Sequence, residues 1–248
     1  MSVYLTHQEI IEKCASINEQ YHVNEQFFDR IIDELLNSEL PTEDVILNGF
    51  EQLLGEVDHE IGRIEAFAGM EASCFKGCAF CCYFPIVITK MEAKMMLRAI
   101  ERFPKERKEY IYQHWEGYFG GETDKLETAM AMDFNNEETK LAYKQLNVPC
   151  PMLDPETHTC LAYEIRPIPC RTYLNYADPK VCAENDLPKE TFSYEFLYEY
   201  YMGAMNEILQ ALYENGEDLL VNYPTDLWEY DYLPAWIMKR NEVMEDEL

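Results

Sequence analysis

Four cysteines stand within nine positions, Cys74, Cys78, Cys81 and Cys82 in "CFKGCAFCC", and four more follow at Cys150, Cys160, Cys170 and Cys182. Thiolates are soft, charged ligands whose crowding is repulsive unless a cation neutralises them, so a dense group in a loop points to a metal ion or cluster. Cys78 and Cys81 have the CxxC spacing that lets two sulfurs converge on one ion. Cys81 and Cys82 are adjacent, and adjacent side chains usually diverge. This pair is therefore expected to serve different metals or different corners of one cluster. Eight sulfurs would satisfy two four-sulfur sites, or one polynuclear centre with ligands to spare. Zinc, iron and an iron–sulfur cluster all accept such ligands, and thiol redox chemistry stands beside them as a competing reading. Cys14 lies apart in an apolar helical pattern and reads as a small buried residue.

Other polar residues near these cysteines have roles to test. Arg166 and Arg171 flank Cys170 and could donate N–H bonds to thiolates, offsetting part of the negative charge. The alternative for each is a pair with a carboxylate. His158, two positions before Cys160, could replace a thiolate at zinc, although an exposed loop residue is the plainer reading. His7, His22, His59 and His114 are dispersed and form no HExxH spacing, which argues against a histidine-based catalytic zinc. Asp154 in "LDPET" reads as a turn former, and Tyr163 and Tyr173 as covers for a metal. Neither a phosphate-binding loop nor a GxSxG nucleophile is recognisable.

The elements that must position these residues are mostly helices. Apolar side chains three and four apart run through residues 7–18 and 24–38. From Glu43 a longer helix carries the stripe Ile46, Phe50, Leu53, Leu54, Val57, Ile61, Ile64 and Phe67 toward the first cysteines. After them, Thr89 and Glu92 have the spacing of a capping box, predicting a helix from Lys90 to Arg102. Pro104 starts another, to about Tyr118, with "KERK" at 105–108 as a solvated face. Residues 125–146 read as weaker helix broken near "FNNEE". Prolines at 149, 151, 155, 167, 169, 179 and 188 exclude long regular helix or central strand between 148 and 190. Helix resumes from Ser193 to about Glu214, and the aromatic tail "PTDLWEYDYLPAWIM" is expected to pack over it.

Composition narrows the function classes. With 47 acidic and 20 basic residues the formal net charge is −27, which opposes nucleic-acid and anionic membrane surfaces. No apolar segment reaches the roughly 18 residues of a membrane span, and the first thirty lack a signal-peptide core, so a cytoplasmic protein is expected. In a reducing compartment clustered cysteines are read as ligands or redox groups ahead of disulfides.

"CFKGCAFCC", followed by "CPMLD", "CLAY" and "RPIPCR" in that order, resembles the YkgJ-type cysteine-cluster family, the zinc- or iron-chelating CxxCxxCC domain. The resemblance spans residues 74–182. It implies metal ligation by Cys74, Cys78, Cys81, Cys82, Cys150, Cys160 and Cys170, with Cys182 matching a last cysteine that commonly follows. The first gap here is CxxxC where the family's name has CxxC. Flagellin lysine methylases look similar in this segment, which raises a methyl-transfer role from S-adenosylmethionine. The order of Cys74, Cys78 and Cys81 also matches the x3, x2 spacing of radical S-adenosylmethionine enzymes, but the helical surroundings lack the repeated strands of such a barrel.

The expectation is thus a mainly α fold, with helices packed around an irregular cysteine-rich metal-binding segment. It is read as one domain over 1–248, with N-terminal helices in 1–70, the cysteine segment in 71–190 and a C-terminal helical part in 191–248. Its cofactor is zinc or iron, including an iron–sulfur cluster. Its partner is a protein or small molecule of unknown identity. Whether it is an enzyme stays open.

Overall fold

The computed structural model describes residues 4–121 and 123–245. Along the chain run α1 (His7–Gln20), α2 (Gln26–Leu36), α3 (Thr42–Ala68), β1 (Val87–Thr89), α4 (Lys90–Glu101) and α5 (Lys105–Phe119). Next come α6 (Thr123–Met130), α7 (Glu137–Gln145), α8 (Ile168–Thr172), β2 (Tyr173–Asn175), α9 (Lys180–Glu184) and β3 (Thr191–Ser193). Then α10 (Leu197–Glu214), β4 (Tyr230–Tyr232), α11 (Leu233–Met238) and α12 (Arg240–Glu245) complete the order. The protein is mainly α, as its periodicity predicts, and its strands are three residues each. Two compact units emerge, each built from two separated stretches: Met1–Lys76 with Pro167–Glu217, and Gly77–Arg166 with Asp218–Leu248.

In the first unit α3 packs against α2 and α10. Its predicted stripe is buried from Ile46 through Phe50, Leu53, Leu54, Val57 and Ile61 to Ile64. Each such side chain contributes roughly 1.5–3 kcal/mol by leaving water. Phe67 departs from the prediction: it is exposed at the helix end and meets the edge of Tyr21, with ring centroids 5.3 Å apart. Gly49 sits where a Cβ would meet Ile208 Cδ1 at 3.0 Å and Leu35 Cδ1 at 3.5 Å, so hydrogen there lets α3 approach both neighbours. The helix ends at Gly69, whose left-handed φ of 59° glycine adopts at little cost, while Lys13 donates to the terminal carbonyls of Ala68 and Gly69. Inside, the fully buried Glu60 accepts from Tyr21 Oη at 2.8 Å and Arg63 Nε at 2.6 Å.

In the second unit β1 pairs antiparallel with β4, Val87 opposite Tyr232 and Thr89 opposite Tyr230. Thr89 then caps α4 as the sequence predicts: Glu92 N–H donates to Thr89 Oγ1 at 3.1 Å and Thr89 N–H to Glu92 Oε2 at 3.0 Å, both residues buried. One turn further, Lys94 is wholly buried with Nζ 2.8 Å from the equally buried Asp226 Oδ2. The aromatic tail, expected over the helix from Ser193, builds this unit instead. Trp236 Nε1 donates to Ile88 O at 3.1 Å, and Tyr232 stacks on Tyr143 and meets Phe134 edge-on. None of the helices among the described residues is long and apolar enough to cross a membrane.

Candidate metal centre

Five of the eight clustered cysteines, Cys78, Cys81, Cys82, Cys150 and Cys160, belong to the second unit. Cys81 and Cys82 lie on a 3₁₀ turn, Phe80–Tyr83, closed by Phe84 N–H donating to Cys81 O. Cys150 N–H donates to Cys82 O at 2.7 Å, so one backbone hydrogen bond joins the two cysteine loops. The segment after Cys150 turns back on itself: Leu153 bridges Cys160, Leu161 N–H reaches Met152 O at 2.7 Å, and Asp154 N–H reaches Thr159 O at 2.9 Å. Asp154 holds that turn as expected, its Oδ1 accepting from Glu156 N–H and its Oδ2 from Thr157 Oγ1. His158 occupies the left-handed position of the loop (φ 54°) and is exposed.

Backbone N–H groups aim at the sulfurs in a repeated pattern. Met152 N–H donates to Cys150 Sγ at 3.4 Å from two residues ahead, and the backbone N–H groups of Phe80 and Ala162, at the same spacing, favour the thiolates of Cys78 and Cys160. Such donors stabilise a thiolate more than a thiol. The adjacent pair does not diverge in the expected way. The neighbouring Cys82 thiol is the main cause of a Cys81 pKa of about 7. The charges of Lys144 and Arg166 push in the same direction against burial. Burial dominates elsewhere: it raises the Cys78 and Cys160 thiols and pushes Cys150 up to about 12, with Cys160 and Cys81 adding repulsion there.

Of the two predicted arginines, Arg166 acts on Cys81 and Cys160 electrostatically and lies over the Tyr163 ring at 4.3 Å. Arg171 is buried and pairs with Asp58 of α3. Lys144 escaped the sequence reading. Its Nζ donates to Phe80 O at 2.5 Å and sits 4.8 Å from the Phe84 ring centre, beside the 3₁₀ turn. Its signal would have been a cation six residues before the second cysteine group.

The "KERK" segment also needs correction, because Arg107 does more than face solvent. It stacks on Phe103 at 3.8 Å and donates to Leu161 O at 2.7 Å and Glu164 Oε2 at 2.6 Å.

The first unit holds Cys74, Cys170 and Cys182. Asn175 organises the first of these: Ser73 N–H donates to Asn175 O at 2.7 Å, and Asn175 N–H donates to Cys74 Sγ at 3.3 Å. Asn175 lies on β2, paired with β3. Cys170 lies on α8 and Cys182 on α9, whose start is fixed by Lys180 N–H donating to Asp178 Oδ1. Cys74 is exposed and the other seven are half-buried. None of the nine cysteines is in a disulfide, and Cys14, also half-buried, has its thiol pKa raised by burial. Among the described residues no group of three or more His, Cys, Asp or Glu side chains is gathered in a metal-holding arrangement.

The donor set nevertheless fits a soft metal: thiols alone, amide N–H groups on the sulfurs, and two cations against Cys81. A helical protein with a cysteine-rich chelating segment is the class that these features define. Residues 73–189, a little under half of the chain, match the family model CxxCxxCC, described as a "Putative zinc- or iron-chelating domain". No curated protein and no solved structure matches the chain.

Proposed function

We propose that the protein chelates zinc or iron through its clustered cysteines, with Cys78, Cys81, Cys82, Cys150 and Cys160 as one ligand set and Cys74, Cys170 and Cys182 as a second. The observation that carries this reading is the convergence of amide donors and cationic side chains on the sulfurs of the second unit. Thiolates held this way need little further charge compensation before a divalent ion binds. The ion would in turn tie together the two cysteine loops already joined by the Cys150–Cys82 backbone bond.

A second reading, an iron–sulfur cluster, is favoured by one observation. Five sulfurs in one unit exceed the four that a tetrahedral ion takes. Bound zinc would supply structure or Lewis acidity, and a cluster would supply one-electron transfer. Arg166 would lower the negative charge at Cys81 and Cys160 in either case. The x3, x2 cysteine order expected of radical enzymes is divided here, with Cys74 in one unit and Cys78 and Cys81 in the other. A reducing, cytoplasmic setting and a basic or small-molecule partner, rather than nucleic acid or membrane, accord with the thiols and the charge of −27.

The test is metal and acid-labile sulfide content, with an absorption spectrum, on protein purified without oxygen. Iron with sulfide selects the cluster, and colourless protein with zinc selects the simple chelate. Cys81→Ser and Cys150→Ser should each lower metal content. Unchanged stoichiometry in both variants would sink the ligand assignment.

A further inference from the structure

The loop from Pro149 to Leu161 carries Cys150 and Cys160, and its prolines at 149, 151 and 155 supply no N–H. The loop's own backbone bonds accept at Cys150, Met152, Asp154 and Thr159 O, and leave the carbonyls of Pro149, Pro151 and Leu161 to other donors. One face of α5 provides what the backbone lacks. Tyr118 Oη donates to Pro149 O at 2.7 Å, and the fully buried Trp115 donates through Nε1 to Pro151 O at 3.1 Å. At the other end of the loop Arg107 donates to Leu161 O at 2.7 Å, next to Cys160. Residues 107, 111, 115 and 118 share one helical face, and Ile111 between them is fully buried. From Arg107 to Tyr118 the helix rises about 16 Å, a rigid edge against which the loop is laid.

We propose that α5 is the positioning element of the metal centre, with Trp115, Tyr118 and Arg107 as positioning residues that set where the Cys150 and Cys160 sulfurs stand. The inference rests on the chelation reading above and assigns to it residues outside the cysteine segment. The three side chains touch no sulfur through these bonds. They act on the carbonyls of residues adjacent to ligands, and a ligand displaced by about 0.5 Å from its productive position binds poorly.

The test titrates cobalt(II), then zinc(II) in competition, into metal-free full-length protein. Affinity, the cobalt absorption band and the urea stability of the metal-free state are read for each variant. Tyr118→Phe and Trp115→Phe each remove one donor and keep an aromatic ring. Each should weaken metal binding by roughly 10- to 100-fold and alter the cobalt band. The control is Tyr112→Phe on the same helix. Its hydroxyl donates to Glu101, away from the loop, while its ring meets Trp115 at 5.4 Å. That variant should lose stability with no change in affinity or spectrum. If Tyr118→Phe and Trp115→Phe alter metal binding no more than Tyr112→Phe does, α5 is scaffold and the proposal is overturned. Wild-type protein that binds neither ion would remove the chelation reading and this inference with it.

Discussion

The disparity between Cys81 and Cys150 in the metal-free protein gives a measurable selectivity. Cys81 has a pKa of about 7 because the Cys82 thiol, its own N–H and the charges of Lys144 and Arg166 favour the thiolate. Burial pushes Cys150 to about 12. At pH 7 about half of Cys81 is thiolate, against roughly one part in 10⁵ of Cys150. The weaker nucleophilicity of the more acidic thiol returns a factor of roughly 10² to 10²·⁵, from a Brønsted slope of about 0.4–0.5 over five units. Cys81 should therefore alkylate about 10²- to 10³-fold faster. The assay is limiting iodoacetamide at pH 7 without oxygen, read by peptide mass spectrometry. Lys144→Ala and Arg166→Ala should each slow Cys81 by moving it back toward its ordinary 9.0. The signs extend to stability. Cys81 is depressed in the fold, so its contribution is full above about pH 9 and is lost as pH falls through about 7. Cys150 is raised, so its contribution is present below about pH 9 and is lost as pH rises toward about 12. Equal labelling of the two cysteines, or half-maximal labelling of Cys81 near pH 9, would refute this reasoning.

Other consequences follow from packing. Asp226→Asn should cost about 3–5 kcal/mol in urea unfolding because it removes the carboxylate paired with the buried Lys94 ammonium, and adding Lys94→Met should recover most of that loss. A double variant no better than the single would show that the pair is not the source. On α3, Gly62→Ala meets nothing within 4 Å and should stabilise by about 0.5–1 kcal/mol. Gly49→Ala drives a methyl against Ile208 Cδ1 and should be neutral or destabilising, and a gain equal to that at position 62 would contradict the close packing. Thr89→Ala removes a buried cap and should cost about 1–2 kcal/mol by the same measurement.

The helices were legible because their signals are local. The Thr89–Glu92 box and the α3 stripe each depend on residues within a few turns, and both appear where the spacing puts them. Phe67 failed the pattern only because the helix stops two residues later and leaves its last face uncovered. Proline density correctly foretold short elements between 148 and 190, where no helix exceeds five residues. The surroundings of the cysteines were harder to read. Lys144 and Trp115 act on residues 36 to 64 positions away, and no local period links them. The aromatic tail misled because its hydrophobicity shows that it packs without showing on what. The mutual approach of Cys81 and Cys82 depends on side-chain rotation inside one tight turn, which the sequence does not encode as a spacing.

The pairing of β1 with β4 sets an order of events during synthesis. Thr89 waits for Tyr230, and Ile88 for Trp236. At about 5–20 residues per second, the roughly 140 residues between those strands take on the order of 10–30 s to emerge. All five thiols of the second unit have left the ribosome by then, while β1 still lacks its partner. The closing strand is thus a late arrival to loops already rich in reactive sulfur. Early metal capture or a chaperone would protect the nascent chain most during that interval, and a stop codon before residue 230 would leave the interval permanently open.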